Sequence, residues 1–296
     1  MKKDIFAESK RLSEITKKIR NIFELWNYDE LFLPTIEEYS DELRKGLKIA
    51  TGNHFYLIKP DITSHIVENI KNETRMKLYY ISEVLDDTQS EWQAGIEFIG
   101  DDPLKMQVET LNVVMTCLES LNIDNYYIDI GDMNIWYEVI EDLNQYRSEI
   151  IEALQKRNFG IIDDLQLDDD IKDEIWELFN FRSKSCDIEE LQSIIEIVDD
   201  DRIYIDLGTI RPLQYYEDII LEVYSPDIGY PIGAGGGYTV NGTYAFGFAF
   251  KLDTLMKMYN SNDSFERRKK INGDLKESYN IAKEMVKEGI PVEVEI

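Results

Sequence analysis

Lys77-Leu78-Tyr79-Tyr80-Ile81-Ser82-Glu83-Val84-Leu85 and Trp92-Gln93-Ala94-Gly95-Ile96-Glu97-Phe98-Ile99 read as two strands joined by a polar turn. Downstream, Leu104, Val108, Leu111, Met115 and Leu118 mark a long amphipathic helix, and residues 126–130 the next strand. Upstream, Leu12, Ile15, Ile19, Ile22, Phe23 and Trp26 predict a helix over 5–26. Leu31-Phe32-Leu33-Pro34 reads as a short strand ended by proline, 36–46 as a helix closing at Gly46, 54–58 as a strand and 61–72 as a helix. From about 132 to 200 the pattern is helical and acidic, with helices near 132–143, 146–157, 170–181 and 187–198. Strands return at 202–206, 215–224, 231–239 and 244–250. Helices near 252–259 and 264–288 lead to a terminal strand at 291–296. Strands and helices do not alternate strictly, so the expected class is α+β with an antiparallel sheet, not a doubly wound fold.

The charge balance narrows the function. With 59 acidic and 32 basic residues the chain carries −27, whereas nucleic-acid affinity comes largely from Lys and Arg neutralising phosphates. The densest basic cluster, Arg267-Arg268-Lys269-Lys270, reads as a solvated helix face. No nucleic-acid partner is expected. Apolar residues make up 43%, enough for a sizeable core. No apolar run suits a membrane span or a signal peptide, so a cytoplasmic protein without a membrane partner is expected. Cys117 and Cys186 form neither a disulfide framework nor a metal knuckle.

Familiar chemical motifs fail on context. Gly233-Ala234-Gly235-Gly236-Gly237-Tyr238 is followed by a strand-like segment, whereas a phosphate loop needs a helix whose N-terminus supplies amide donors. Its glycines fit a backbone lying close to a ligand or a neighbouring strand. His54 and His65 straddle a strand-to-helix junction without an obvious third ligand. The aspartate runs 168–170 and 199–201 lack the alternation of a calcium loop. No G-x-S-x-G elbow is present. No metal, cofactor or catalytic residue is expected.

Six stretches are informative because of their order: 32–37, 58–63, 80–85 with 91–100, 211–216, 235–238 and 245–253. They resemble, in turn, the first motif, the Arg-Pro-Glu-x-Thr segment, the second motif, the Arg-Gly-Leu-Asp-Tyr-Tyr signature, the Gly-Gly-Arg-Tyr segment and the third motif of class II aminoacyl-tRNA synthetases of the histidyl type. The resemblance runs from about residue 5 to 258 and is weaker in the insertion. It implies a class II synthetase-like antiparallel sheet flanked by helices: a core over 1–260 with a helical insertion at about 132–200, and a short helix–strand tail at 261–296.

The resemblance also implies a histidine pocket. The α-amino group falls to Thr63, Gln93 and Glu97, the imidazole to Asp61 and Tyr216 with Tyr238 alongside, and the carboxylate to Arg211. These groups suit the poles of a zwitterion. The ATP site departs from the family. The second-motif arginine that holds the α-phosphate is replaced by Asp86, the third-motif arginine falls at Thr254, and the loop 87–90, where the family reaches the tRNA acceptor end, is short. Adenylate chemistry is mostly stabilisation of phosphate charge, so these losses predict no aminoacylation. Only about 38 residues follow the third motif, too few for an anticodon-binding domain of about a hundred residues.

Within this family the pattern resembles the regulatory subunits of ATP phosphoribosyltransferase. That implies a non-enzymatic chain, homodimeric within a hetero-oligomer, partnered by the short-form catalytic subunit and with a role in activation and in feedback by histidine. A ligase for a non-tRNA acceptor and an amino-acid sensor for another partner are the alternatives.

Overall fold

The computed structural model describes residues 4–39, 47–58, 61–69, 75–85, 90–210, 216–260 and 269–295. Residues 1–259 and 260–296 form two compact units. The first contains, in chain order, α1 (Ile5–Leu25), β1 (Asp29–Glu30), β2 (Ile36–Glu38), β3 (Leu47–Thr51), β4 (His54–Ile58), α2 (Thr63–Asn69), β5 (Met76–Leu85), β6 (Ser90–Ile99), α3 (Pro103–Ser120) and β7 (Tyr127–Asp132). There follow α4 (Met133–Asp142), α5 (Arg147–Lys156), α6 (Gly160–Asp163), α7 (Asp169–Asn180), β8 (Arg182–Ser183) and α8 (Glu189–Val198). The unit closes with β9 (Ile203–Asp206), β10 (Ile219–Ser225), β11 (Ile228–Val240), β12 (Thr243–Lys251) and α9 (Leu252–Met258). The second unit is β13 (Lys269–Asn272), α10 (Leu275–Lys287) and β14 (Val292–Glu295), the two strands parallel.

Among the described residues the main sheet has the order β1-β5-β6-β12-β11-β10-β7-β9-β8. Its pairs are antiparallel except β1·β5 and β7·β9. This is the α+β class expected. One face packs on helices. Ile15, Ile19 and Phe23 of α1, the α3 positions Met106, Leu111, Val114 and Leu118, and Leu191 and Ile194 of α8 are buried with Phe246, Phe248 and Phe250 of β12. The apolar side chains of α1 and α3 recur every third or fourth residue because only one face of each helix meets the sheet. Asp102 accepts from the amide of Lys105 and Pro103 occupies the first turn, which fixes where α3 starts.

The opposite face carries a smaller cluster, in which Tyr80, Ile99, Tyr238, Val240 and Ala245 meet Ile62 and Ile66 of the α2 region. The insertion has its own core around Trp136, Ile140, Ile150, Leu154 and Ile175. The Trp136 indole N–H donates to the carbonyl of Leu207, fastening that core to the segment after β9.

Four local expectations need correction. The start of the helix expected at 36–46 is strand β2, paired Ile36↔Ile58 with β4, and 40–46 lie outside the described residues. The strand expected at Leu31–Leu33 lies earlier, at Asp29–Glu30. Leu31 still donates to the Tyr79 carbonyl before the chain leaves the sheet ahead of Pro34. The strand expected from 215 begins at Ile219, with 211–215 outside the described residues. The last helix begins at Leu275. Residues 269–272 pair with 292–295, and Gly273 at φ +145° makes the turn before the Asp274 cap.

Candidate functional site

Strand register sets the site. On the face away from α3, Leu78, Glu97, Gly247, Gly236 and Ile220 form one row across β5, β6, β12, β11 and β10. The next row is Tyr80, Gly95, Ala249, Ala234 and Glu222. The floor between the polar ends is thus almost without side chains. A Cβ on Gly247 would sit 1.9 Å from Glu97 Oε2, and one on Gly95 2.5 Å from the Tyr80 ring tip. Both positions have to be glycine for these neighbours to lie where they do.

Glu97 is 2% exposed. Its Oε1 accepts from the Thr63 hydroxyl at 2.8 Å and its Oε2 from the Tyr238 hydroxyl at 2.7 Å. Burial pushes the carboxyl up to about 7, against the pull of these two hydrogen bonds, and the charge of Asp61 adds to the rise. Burial and the Glu97 charge in turn hold the Tyr238 phenol well above its ordinary range, so it stays a donor. When ionised, a buried carboxylate flanked by neutral hydroxyls has no counter-charge beside it, and chemically such a group can receive an ammonium.

The other expected residues take distinct places. Asp61 lies at the start of α2 and turns inward: Oδ1 accepts from the Ser64 amide at 2.7 Å and Oδ2 from the Ser64 hydroxyl at 3.0 Å. Gln93 shares the Glu97 face, and its amide donates to Glu91 Oε1 at 3.0 Å. The other Glu91 oxygen lies 3.6 Å from Lys251 Nζ. Tyr216 is 8% exposed. Its ring edge lies over Gly236, it packs with Met133 and Ile220, and its carbonyl accepts from the Tyr137 hydroxyl at 2.8 Å. Thr63, Glu97 and Tyr238 are therefore brought together, with Asp61 close enough to act on the Glu97 charge. Arg211 and Asp86 lie outside the described residues. Thr254, at the third-motif arginine position, is buried on α9 at 4% exposure.

Sequence reasoning missed Tyr80, Lys251 and Glu91, which stand on the same face, and the glycine at 247 that makes room for Glu97. The opposition of Tyr80 and Gly95 was readable only once the strand register was known. It also missed Arg182, whose guanidinium donates to Asp129 at 2.7 and 3.0 Å and stacks 3.8 Å over Tyr204, tying β8 to the sheet. His65 is fully buried with Nδ1 3.1 Å from Glu37, a link between α2 and β2. Among the described residues no group of three or more His, Cys, Asp or Glu could hold a metal ion, and no helix is long and apolar enough to cross a membrane.

Comparison with known proteins agrees with this architecture. The histidine–tRNA ligase of Methanocaldococcus jannaschii is 27% identical over 346 aligned positions, covering 98% of this chain and 83% of the ligase. The ATP phosphoribosyltransferase regulatory subunit of Oceanobacillus iheyensis is 29% identical over 306 positions, covering 85% of this chain and 75% of that subunit. An ATP phosphoribosyltransferase regulatory subunit/histidyl-tRNA synthetase from Bacillus halodurans superimposes with a TM-score of 0.81 at 19% identity, over 97% of this chain and 89% of that one. A chain of the ATP phosphoribosyl transferase (HisG:HisZ) complex from Thermotoga maritima gives 0.69 at 18% identity, over 80% and 96%. At such identities the structures speak for the fold, a class II histidyl-tRNA synthetase-like sheet flanked by helices. The histidyl-tRNA synthetase profile matches residues 5–186 and 178–255, and the chain belongs to that family.

Proposed function

We propose that the chain is a non-catalytic regulatory subunit of ATP phosphoribosyltransferase, acting in the first step of histidine biosynthesis. In this reading its Glu97 pocket binds an amino acid, histidine by expectation, and passes occupancy to the short-form catalytic subunit. The observation that carries it is the buried carboxylate of Glu97 held by two hydroxyls, taken with two family arginine positions that hold no arginine here. Thr63 and Tyr238 still hold Glu97, while a buried threonine occupies the third-motif arginine position and an aspartate the second. Relatives named as regulatory subunits, and the fold shared with a chain of the HisG:HisZ complex, support the same reading. A net charge of −27 disfavours tRNA as a partner. In this proposal the protein is cytoplasmic and homodimeric within the hetero-oligomer, and the tail does not serve as an anticodon-binding domain.

An amino acid can regulate only by binding two states of the complex unequally, typically with about 1–3 kcal/mol of coupling. Co-expression with a short-form catalytic subunit tests the reading. A stable complex whose ATP phosphoribosyltransferase activity requires this chain is expected; a catalytic subunit equally active alone and unbound by this chain refutes it. The similarity to histidine–tRNA ligases favours a second reading, a ligase that activates an amino acid for some acceptor. That reading needs ATP chemistry.

A further inference from the structure

We propose that Asp218 is a proton-operated latch holding the first and last helices of the insertion, α4 and α8, to the main sheet: fastened while its carboxyl carries a proton, loosened once the proton leaves. The device is separate from the amino-acid pocket and does not depend on what that pocket binds.

The latch is a chain of hydrogen bonds through four elements. Gln107 of α3 is fully buried, and its Nε2 donates to Glu190 Oε1 of α8 at 3.1 Å and to the Tyr244 hydroxyl of β12 at 3.2 Å. Tyr244 in turn donates at 3.0 Å to Oδ1 of Asp218, just ahead of β10. A Cβ on Gly237 of β11 would strike both Asp218 Oδ1 and the Tyr244 hydroxyl, so only glycine there lets the pair meet. α4 joins at the same point. The Met133 amide donates to the Asp218 carbonyl at 3.0 Å, and Asp132, which caps α4 and pairs with Ile219, is buried. The titratable groups facing Asp218 are therefore Tyr244, Glu190 and Asp132, with Glu138 of α4 acting on Asp132. Among the described residues no lysine or arginine pairs with Asp218, Asp132 or Glu190. Burial, with the charges of Glu190 and Asp132, lifts the Asp218 carboxyl to about 7, against the hydrogen bonds from Tyr244 and the Ile219 amide. Losing the proton sets three carboxylates against one another with no cation between them. Moving α4 and α8 outward relieves this by letting water in.

Hydrogen exchange of the full chain tests this at two reporters, the amide of Met133 and the α8 amide of Gln192, which donates to the Ile188 carbonyl. An opened latch returns Asp218 to water and to its ordinary value of 3.8. From there to about 7 the opening constant should rise about tenfold per pH unit, then level off. Asp218→Asn keeps an acceptor for Tyr244 and carries no charge. Protection in the wild type relative to this variant should therefore fall by a factor on the order of a hundred between about pH 5 and about pH 8 at both reporters. The ratio cancels the Glu97 titration, which is present in both proteins. At about pH 8 both reporters should also be at least about tenfold less protected than the amides of Phe246 and Phe248 in β12, because the latch opens without the sheet. A ratio that does not change with pH overturns the proposal, and so do reporters as well protected as the β12 amides. Glu190→Gln is a second test on an exposed side chain that still accepts from Gln107. It removes one opposing charge and should lower the pH at which the curve levels off by about half a unit. An unmoved curve overturns the latch even where Asp218→Asn does not fold.

Discussion

Replacing Glu97 with glutamine should make the ligand-free protein more stable above neutral pH while disabling its pocket. The carboxyl is raised from its ordinary 4.5 to about 7, chiefly by burial. Between those values the folded state holds a proton that the unfolded state has given up. Stability therefore falls as pH rises through this window, by about 1.4 kcal/mol per pH unit, or about 3 kcal/mol in all, and is flat above it. Glutamine has no charge to desolvate and escapes this penalty. It presents one acceptor where glutamate has two, so either Thr63 or Tyr238 must turn its hydroxyl, which offsets about 1 kcal/mol. The balance is about 2 kcal/mol in favour of Glu97→Gln at pH 8.5, a rise in melting temperature of about 4–8 °C for a chain of this size. At pH 5 the two proteins should lie within about 1 kcal/mol of each other. Thermal unfolding at the two pH values reads this directly. Any histidine-dependent stabilisation of the wild type should be lost in the variant, and inhibition of the reconstituted complex by histidine should weaken. A variant less stable at pH 8.5, or a difference that does not change with pH, would refute the reasoning.

Gly247→Ala places a methyl 1.9 Å from Glu97 Oε2 and should destabilise the fold by about 1–3 kcal/mol while abolishing amino-acid binding. Unfolding and titration on one sample check both, and normal binding would mean that Glu97 is not the receptor. Amino-acid-dependent ATP–pyrophosphate exchange should not exceed a no-enzyme control; exchange above it would favour the ligase reading. Phe32 and Ile36 are exposed in the first-motif region, and self-association through that region should make the isolated chain a dimer by light scattering. Phe32→Asp should shift it toward monomer, and a wild-type monomer at micromolar concentration would sink the idea.

The elements that sequence located best are those whose signal is local. The periodicity of α3 placed Pro103–Ser120 within two residues, and the residue run of β4 placed His54–Ile58. β2 and β13 escaped because their strand character comes from remote partners: Ile36 from Ile58, Lys269 from Val292. A few residues decide nothing alone, and tertiary pairing overrides weak propensity. The candidate site divides the same way. Glu97 and Tyr238 are 141 residues apart and came together on paper only through the family's motif order. The inward turn of Asp61 depends on the hydroxyl of Ser64, and the role of Gly247 on its register with Glu97, neither of which has a one-dimensional signature.

The glycines of this floor, Gly236 and Gly247 in one row and Gly95 in the next, have a practical consequence for anyone mapping this surface by mutation. Alanine scanning works by shortening side chains, and on this floor there is nothing to shorten, so such a scan would credit the whole effect of the pocket to its walls. The informative substitutions here run the other way, adding one methyl at a time. Each addition intrudes on a known neighbour: Tyr80 from 95, Tyr216 from 236 and Glu97 from 247. A scan by enlargement would therefore show, strand by strand, which of these neighbours the proposed pocket depends on.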